Sequence, residues 1–172
     1  MRARVLLITS VSALLYLWDA VSTFQLFRES NPGFRELNIY VDTSSFNSIL
    51  LSPAPLAVFL IFLVCLLYAE KNSAQIPTLL ESFSLKLAPV FFVFFYLFLK
   101  LIVSVNNTLL FYDRIGIMQF FLPLSARFVD SIAIQVTLIY SSLYLLTLPM
   151  WAVLTRAVYV RRSGPHSCNQ HR

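Results

Sequence analysis

The sequence predicts an all-α membrane protein in which four transmembrane helices pack as a bundle. Hydrophobic residues make up 58% of the 172 residues, charged residues only 12%, and the mean hydropathy is +0.74. This composition lies far from that of soluble globular domains. The apolar residues form four long runs, and most Lys and Arg residues lie near the ends of these runs. The net charge of +5 therefore marks membrane boundaries, and nucleic-acid binding is not expected.

The length of each apolar run predicts the spans. A bilayer core is about 30 Å thick, so a helix that rises about 1.5 Å per residue needs about 20 apolar residues to cross it. Four runs have this length, at about residues 5–27, 50–68, 89–110 and 129–158. The first run continues beyond the length of a signal peptide and contains Asp19 where small neutral residues would be needed for cleavage. We therefore interpret it as a span.

Residues 1–162 form one predicted four-helix transmembrane domain, and residues 163–172 are predicted to be a disordered cytoplasmic tail.

The orientation follows from the basic residues near the span ends, since cytoplasmic loops carry an excess of Lys and Arg. One side has Arg2, Arg4, Lys71, Lys86, Arg156, Arg161, Arg162 and Arg172, and the other has Arg28, Arg35, Arg114 and Arg127. This bias predicts that both termini are cytoplasmic. On that side, Pro77 followed by "TLLESF" predicts a short in-plane or leading helix.

Two ionisable residues lie inside predicted spans, Asp19 in the first and Lys100 in the third. A charge in a span costs roughly 2.5 to 3.5 kcal/mol on insertion scales, so it is expected to face the bundle interior and to have a partner. Asp19 is 15 residues beyond Arg4, and Lys100 is 14 beyond Lys86, which places both about 21 to 23 Å along their helices. The sequence therefore predicts a buried ion pair between them.

Neutral polar residues extend this pair into a predicted polar cluster in the outer half of the bundle. On the first and third spans, their spacing from the two charges is that of a single helix face. The members are Ser22 and Thr23 with Asp19, Ser104 and Asn107 with Lys100, and Ser131, Gln135 and Ser142 on the fourth span.

Three interpretations of the polar cluster remain open. Its residues can hold the helices together, they can line a water-accessible pocket or a proton or ion path, or they can catalyse a reaction. Catalytic residues, metal ligands and cofactors are not expected, because both histidines lie in the tail and no nucleophile, metal or phosphate-binding motif is present.

A helix-exit motif follows the first span. Glu29, Asn31 and Pro32 form it, and proline pushes the residue before it out of the helical region. With Asp19-x-x-Ser22-Thr23, this pattern resembles an uncharacterised family of small multi-pass membrane proteins of archaea and bacteria that has D-x-x-[ST]-T followed by E-x-N-P. The family usually has a lysine in the next span, whereas here Lys100 of the third span would replace it. The resemblance implies a fold and an archaeal or bacterial plasma membrane, without an activity.

The predicted role is that of a non-catalytic accessory, structural or assembly subunit of a larger membrane complex. The alternative is a small transporter or channel protomer that uses the Asp19 and Lys100 cluster, and an intramembrane enzyme comes third. The expected partners are the lipid bilayer and either other membrane subunits or further copies of the chain.

Overall fold

A computed structural model describes residues 2–28, 45–112, 114–117, 120–121 and 132–159. The elements named in these ranges are all helical, which confirms the predicted all-α class. They are α1 (Arg2–Arg28), α2 (Phe46–Leu50), α3 (Pro53–Lys71), α4 (Ile76–Glu81), a 3₁₀ helix (Leu85–Leu87), α5 (Ala88–Phe111) and α6 (Ile132–Tyr159).

Within the described residues, four segments are long and apolar enough to cross a membrane: Ala3–Arg28, Phe46–Lys71, Leu85–Phe111 and Leu138–Tyr159. They match the four predicted spans. The second begins earlier than predicted because α2 precedes α3, and α3 itself starts at Pro53, as expected for a proline in an opening turn. The tail at 163–172 and the start of the fourth predicted span at 129–131 lie outside the described residues.

The helices alternate in direction. At one end of the bundle, Arg4 Nη1 of α1 donates a 2.9 Å hydrogen bond to the carbonyl of Val158 at the end of α6. Arg4 Nε also lies 3.8 Å from Glu70 Oε2 at the end of α3. We call this the inner end and the opposite one the outer end. The two ends of the described chain, at 2 and 159, thus share one side of the bundle, and the assignment of that side to the cytoplasm stays a prediction.

Helix α5 is the centre of the bundle, because α1, α3 and α6 all pack against it. Its aromatic residues contact two different neighbours. Tyr96 stacks on Phe62 of α3 with ring centroids 4.6 Å apart, whereas Phe94 and Phe98 lie 6.2 and 5.3 Å from Trp151 of α6. Each such pair contributes about 0.5 to 1.5 kcal/mol beyond its buried area. The aromatic run of the third span thus contributes contact surface between helices.

The predicted short helix at the inner end is present as α4, which ends in a tight turn. The amide of Ser84 donates to the carbonyl of Leu79 at 3.0 Å, and the amide of Phe83 donates to that of Leu80 at 3.4 Å. These two bonds form a Schellman motif, whose left-handed position usually carries glycine. Here Phe83 occupies it, with φ of 46°. A side chain in this backbone region costs roughly 1 to 2 kcal/mol, so the surrounding bonds hold Phe83 in a strained conformation.

We expect the Phe83→Gly variant to be more stable than Phe83→Ala by about 1 kcal/mol. Both substitutions remove the ring, and they differ only in the Cβ atom at the left-handed position. Denaturant titration of both variants in the same detergent measures the difference. Equal stabilities, or a more stable Ala variant, would contradict the described turn.

Candidate functional site

The outer half of the bundle contains the predicted ion pair. Lys100 Nζ of α5 lies 2.5 Å from Asp19 Oδ2 of α1, and the two side chains are only 14% and 16% exposed. The ammonium also lies 5.0 Å from the centroid of the Tyr16 ring, a cation–π distance. Tyr16 is in turn fixed by a 2.7 Å hydrogen bond from its hydroxyl to the carbonyl of Leu50. The prediction that Asp19 and Lys100 pair is therefore confirmed.

Hydrogen bonds beside the ion pair also join α1 to α5. Asn107 Nδ2 donates to Thr23 Oγ1 at 3.1 Å, and both residues are buried. One turn inward, buried Ser104 donates to the carbonyl of Leu15 at 3.4 Å. We call the set formed by Asp19, Thr23, Lys100, Ser104 and Asn107 the outer clasp. It joins α1 to α5 through polar side chains that lipid tails cannot solvate.

The remaining predicted site residues have different positions. Ser22 is buried, but its hydroxyl donates at 3.0 Å to the carbonyl of Asp19 in its own helix. Gln135 is buried near the outer end of α6. Ser142 is exposed, so its predicted place in the polar cluster is wrong. Ser131 and the helix-exit residues Glu29, Asn31 and Pro32 lie outside the described residues.

A second polar contact, which the sequence interpretation missed, closes the inner end. Glu70 is buried with 5% of its surface exposed, and its carboxylate faces Arg4 at 3.8 Å. The Arg4 guanidinium lies 5.1 Å from the centroid of the Tyr159 ring. We call Arg4, Glu70 and Tyr159 the inner clasp. It binds the ends of α1, α3 and α6 together.

An apolar layer separates the two clasps. Phe62 and Leu66 of α3 pack with Val93 and Tyr96 of α5, each at most 1% exposed. Asp19 and Arg4 are 15 residues apart on the same helix, a distance of about 22 Å along its axis. The described bundle therefore has one charged contact at its inner end and another in its outer half, at Lys100 just beyond the middle of α5 (Ala88–Phe111), with closely packed apolar residues between them.

Some buried polar atoms have no hydrogen-bond partner among the described residues. They are Glu70 Oε2, Tyr96 Oη, Trp151 Nε1, Thr155 Oγ1 and Tyr159 Oη. Most belong to the inner half, where Trp151, Thr155 and Tyr159 follow one another at four-residue intervals along one face of α6. No group of three or more His, Cys, Asp or Glu side chains in the described part of the chain is arranged to hold a metal ion.

Comparison of the chain with models of known protein families, with curated proteins and with solved structures finds no match. The function of the two clasps is therefore inferred from their own geometry and chemistry.

We expect the Asp19→Ala and Lys100→Ala variants each to lose about 3 to 5 kcal/mol of stability, because each leaves an unpaired charge in a low-dielectric site. The double variant should lose less than either single variant, since it leaves no orphaned charge. Unfolding titrations of the three variants in one detergent measure these differences.

Two control variants calibrate this comparison. Asn107→Ala removes a neutral interhelical hydrogen bond and should cost about 0.6 kcal/mol. Ser10→Ala changes an exposed position of α1 and should leave stability unchanged. If both charge variants unfold at the same denaturant concentration as the parent protein, the ion pair does not form in solution.

Proposed function

We propose that this chain is a non-catalytic integral membrane protein that serves as an accessory, structural or assembly subunit of a larger membrane complex. The proposal rests on the partners of the polar side chains in the outer clasp. The charges of the outer clasp pair with each other, and its amides and hydroxyls bond across helices. Groups used in this way hold helices together and leave no charge free to bind a substrate.

The exposed surface of the bundle gives further support. Because α1, α3 and α6 pack around α5, an 18-residue apolar stretch of the first span and one of the last span each bury only 17% of their residues within the chain. Their outward residues are large and apolar, as at Leu7 and Leu14 of α1 and at Leu146 and Val153 of α6. Lipid tails can cover such faces, and so can the spans of another subunit, since both are equally apolar. The proposal assigns part of these faces to neighbouring subunits of the complex.

Purification from the native membrane in a mild detergent tests the proposal. Intact-assembly mass spectrometry should show other polypeptides at a fixed stoichiometry with this chain. An unrelated four-span protein of similar size, carried through the same purification, controls for adventitious association. Recovery of the chain alone, as a monomer or as a homo-oligomer, would contradict the accessory-subunit role.

A transporter or channel protomer is the second candidate, and one observation favours it. The buried Tyr96 hydroxyl lies one helical turn inward of Lys100 and has no partner among the described residues. It therefore places a polar group inside the apolar layer between the clasps. In proteoliposomes, this candidate requires ion or solute flux that is lost in the Asp19→Ala, Lys100→Ala double variant and reduced in Tyr96→Phe.

A further inference from the structure

The turn after α4 presents apolar side chains outward at the inner end of the bundle. Phe83 is 81% exposed and Leu85 is 92% exposed. The segment that carries them is nonetheless anchored, because Ile76 before it and Leu87 after it are buried in the core. Ser84 also fixes the backbone between them by accepting a hydrogen bond from the amide of Lys86 at 3.3 Å. The outward direction of Phe83 and Leu85 is thus set by a fixed backbone.

The position of Phe83 favours glycine and is unfavourable for a bulky side chain, given its φ of 46°. A Phe side chain there raises the free energy of the backbone conformation, and no packing inside the chain offsets this cost. Burial of the ring in an apolar environment outside the chain would offset it. Leu85 is also the first residue of the third membrane-crossing segment, which places the turn at the edge of the hydrocarbon region.

Exposed basic residues lie at the same end of the bundle as the turn. Lys71 ends α3 and Lys86 lies directly before α5, and both side chains are exposed. Arg156 is exposed in the last turn of α6 at the same end. Glu81 is an exposed acidic residue of α4, so along the chain the turn is preceded by Lys71 and Glu81 and followed by Lys86. Apolar side chains flanked by lysines are typical of surfaces that insert into the boundary between lipid headgroups and acyl chains.

We propose that Phe83, Leu85, Lys71 and Lys86 form a binding surface for anionic phospholipid in the leaflet at the inner end of the bundle. The two apolar side chains enter the acyl boundary, and the two lysines contact lipid phosphates. This surface fixes the depth of α4 and of the start of α5 in the membrane. The inference is independent of the proposed subunit role, because it concerns only the contact between this chain and lipid.

Spin labels test the depth of the turn. Labels are attached at Phe83→Cys, Leu85→Cys and Glu81→Cys in a Cys65→Ser, Cys168→Ser background, in vesicles of phosphatidylglycerol and phosphatidylethanolamine. The labels at 83 and 85 should collide mainly with dissolved oxygen, and the label at 81 mainly with a water-soluble nickel chelate. Equal nickel accessibility at all three sites would overturn the proposal. A second result would also overturn it: labels at 83 and 85 that are protected from the nickel chelate in native membranes but accessible to it in vesicles. A partner protein, and not lipid, would then cover the turn.

Lipid competition tests the role of the lysines. Lys71→Gln and Lys86→Gln should each lower the preference for phosphatidylglycerol over phosphatidylcholine by about fivefold, measured by native mass spectrometry of lipid exchange. Arg114→Gln is the matched control, because it removes an exposed cation on the far side of the bundle. An unchanged preference in both lysine variants, or an equal loss in the control, overturns the proposal.

Discussion

The fold depends on satisfying charges that cannot be left alone in a membrane. Asp19 lies within the first span, where an unpaired carboxylate would cost several kcal/mol, and Lys100 is the group that neutralises it. Because the two residues are 81 positions apart in the chain, their pairing brings α1 onto the distant α5. The hydrogen bond between Thr23 and Asn107 then fixes the same contact at a second level, so that the register of the two helices is defined by polar groups.

The inner clasp complements this contact at the opposite end of α1. Arg4 reaches Glu70 of α3 and the carbonyl of Val158 of α6, and it thereby joins the two spans that the outer clasp leaves out. Between the clasps, packing is apolar and aromatic around Phe62 and Tyr96. Packing in lipid gains little from hydrophobicity alone, since lipid tails are as apolar as the side chains. Polar contacts at the inner end and in the outer half, with close aromatic packing between them, therefore hold the bundle together.

The spans were predictable from the length of the apolar runs, and the Asp19–Lys100 pair from the cost of a charge in a span together with the helical rise. The inner clasp was not, because Arg4 and Glu70 lie near the ends of apolar runs, where a charged residue normally faces water. Only the packing of three helix ends shows that Glu70 is buried. Ser142 was placed wrongly for a related reason: spacing along α6 does not reveal which of its faces meets α5. The strained turn at Phe83 also has no sequence signal, since glycine is the residue expected there.

Solid-state NMR of the protein in lipid bilayers measures the central contact directly. With ¹⁵N-labelled lysine and ¹³C-labelled aspartate, magnetisation should transfer between the Nζ of a charged Lys100 and the Cγ of an ionised Asp19. The cross-peak is assigned by its disappearance in the Asp19→Asn variant. Absence of the cross-peak, or its survival in that variant, would show that the two charges do not meet and that the helices are held together in some other way.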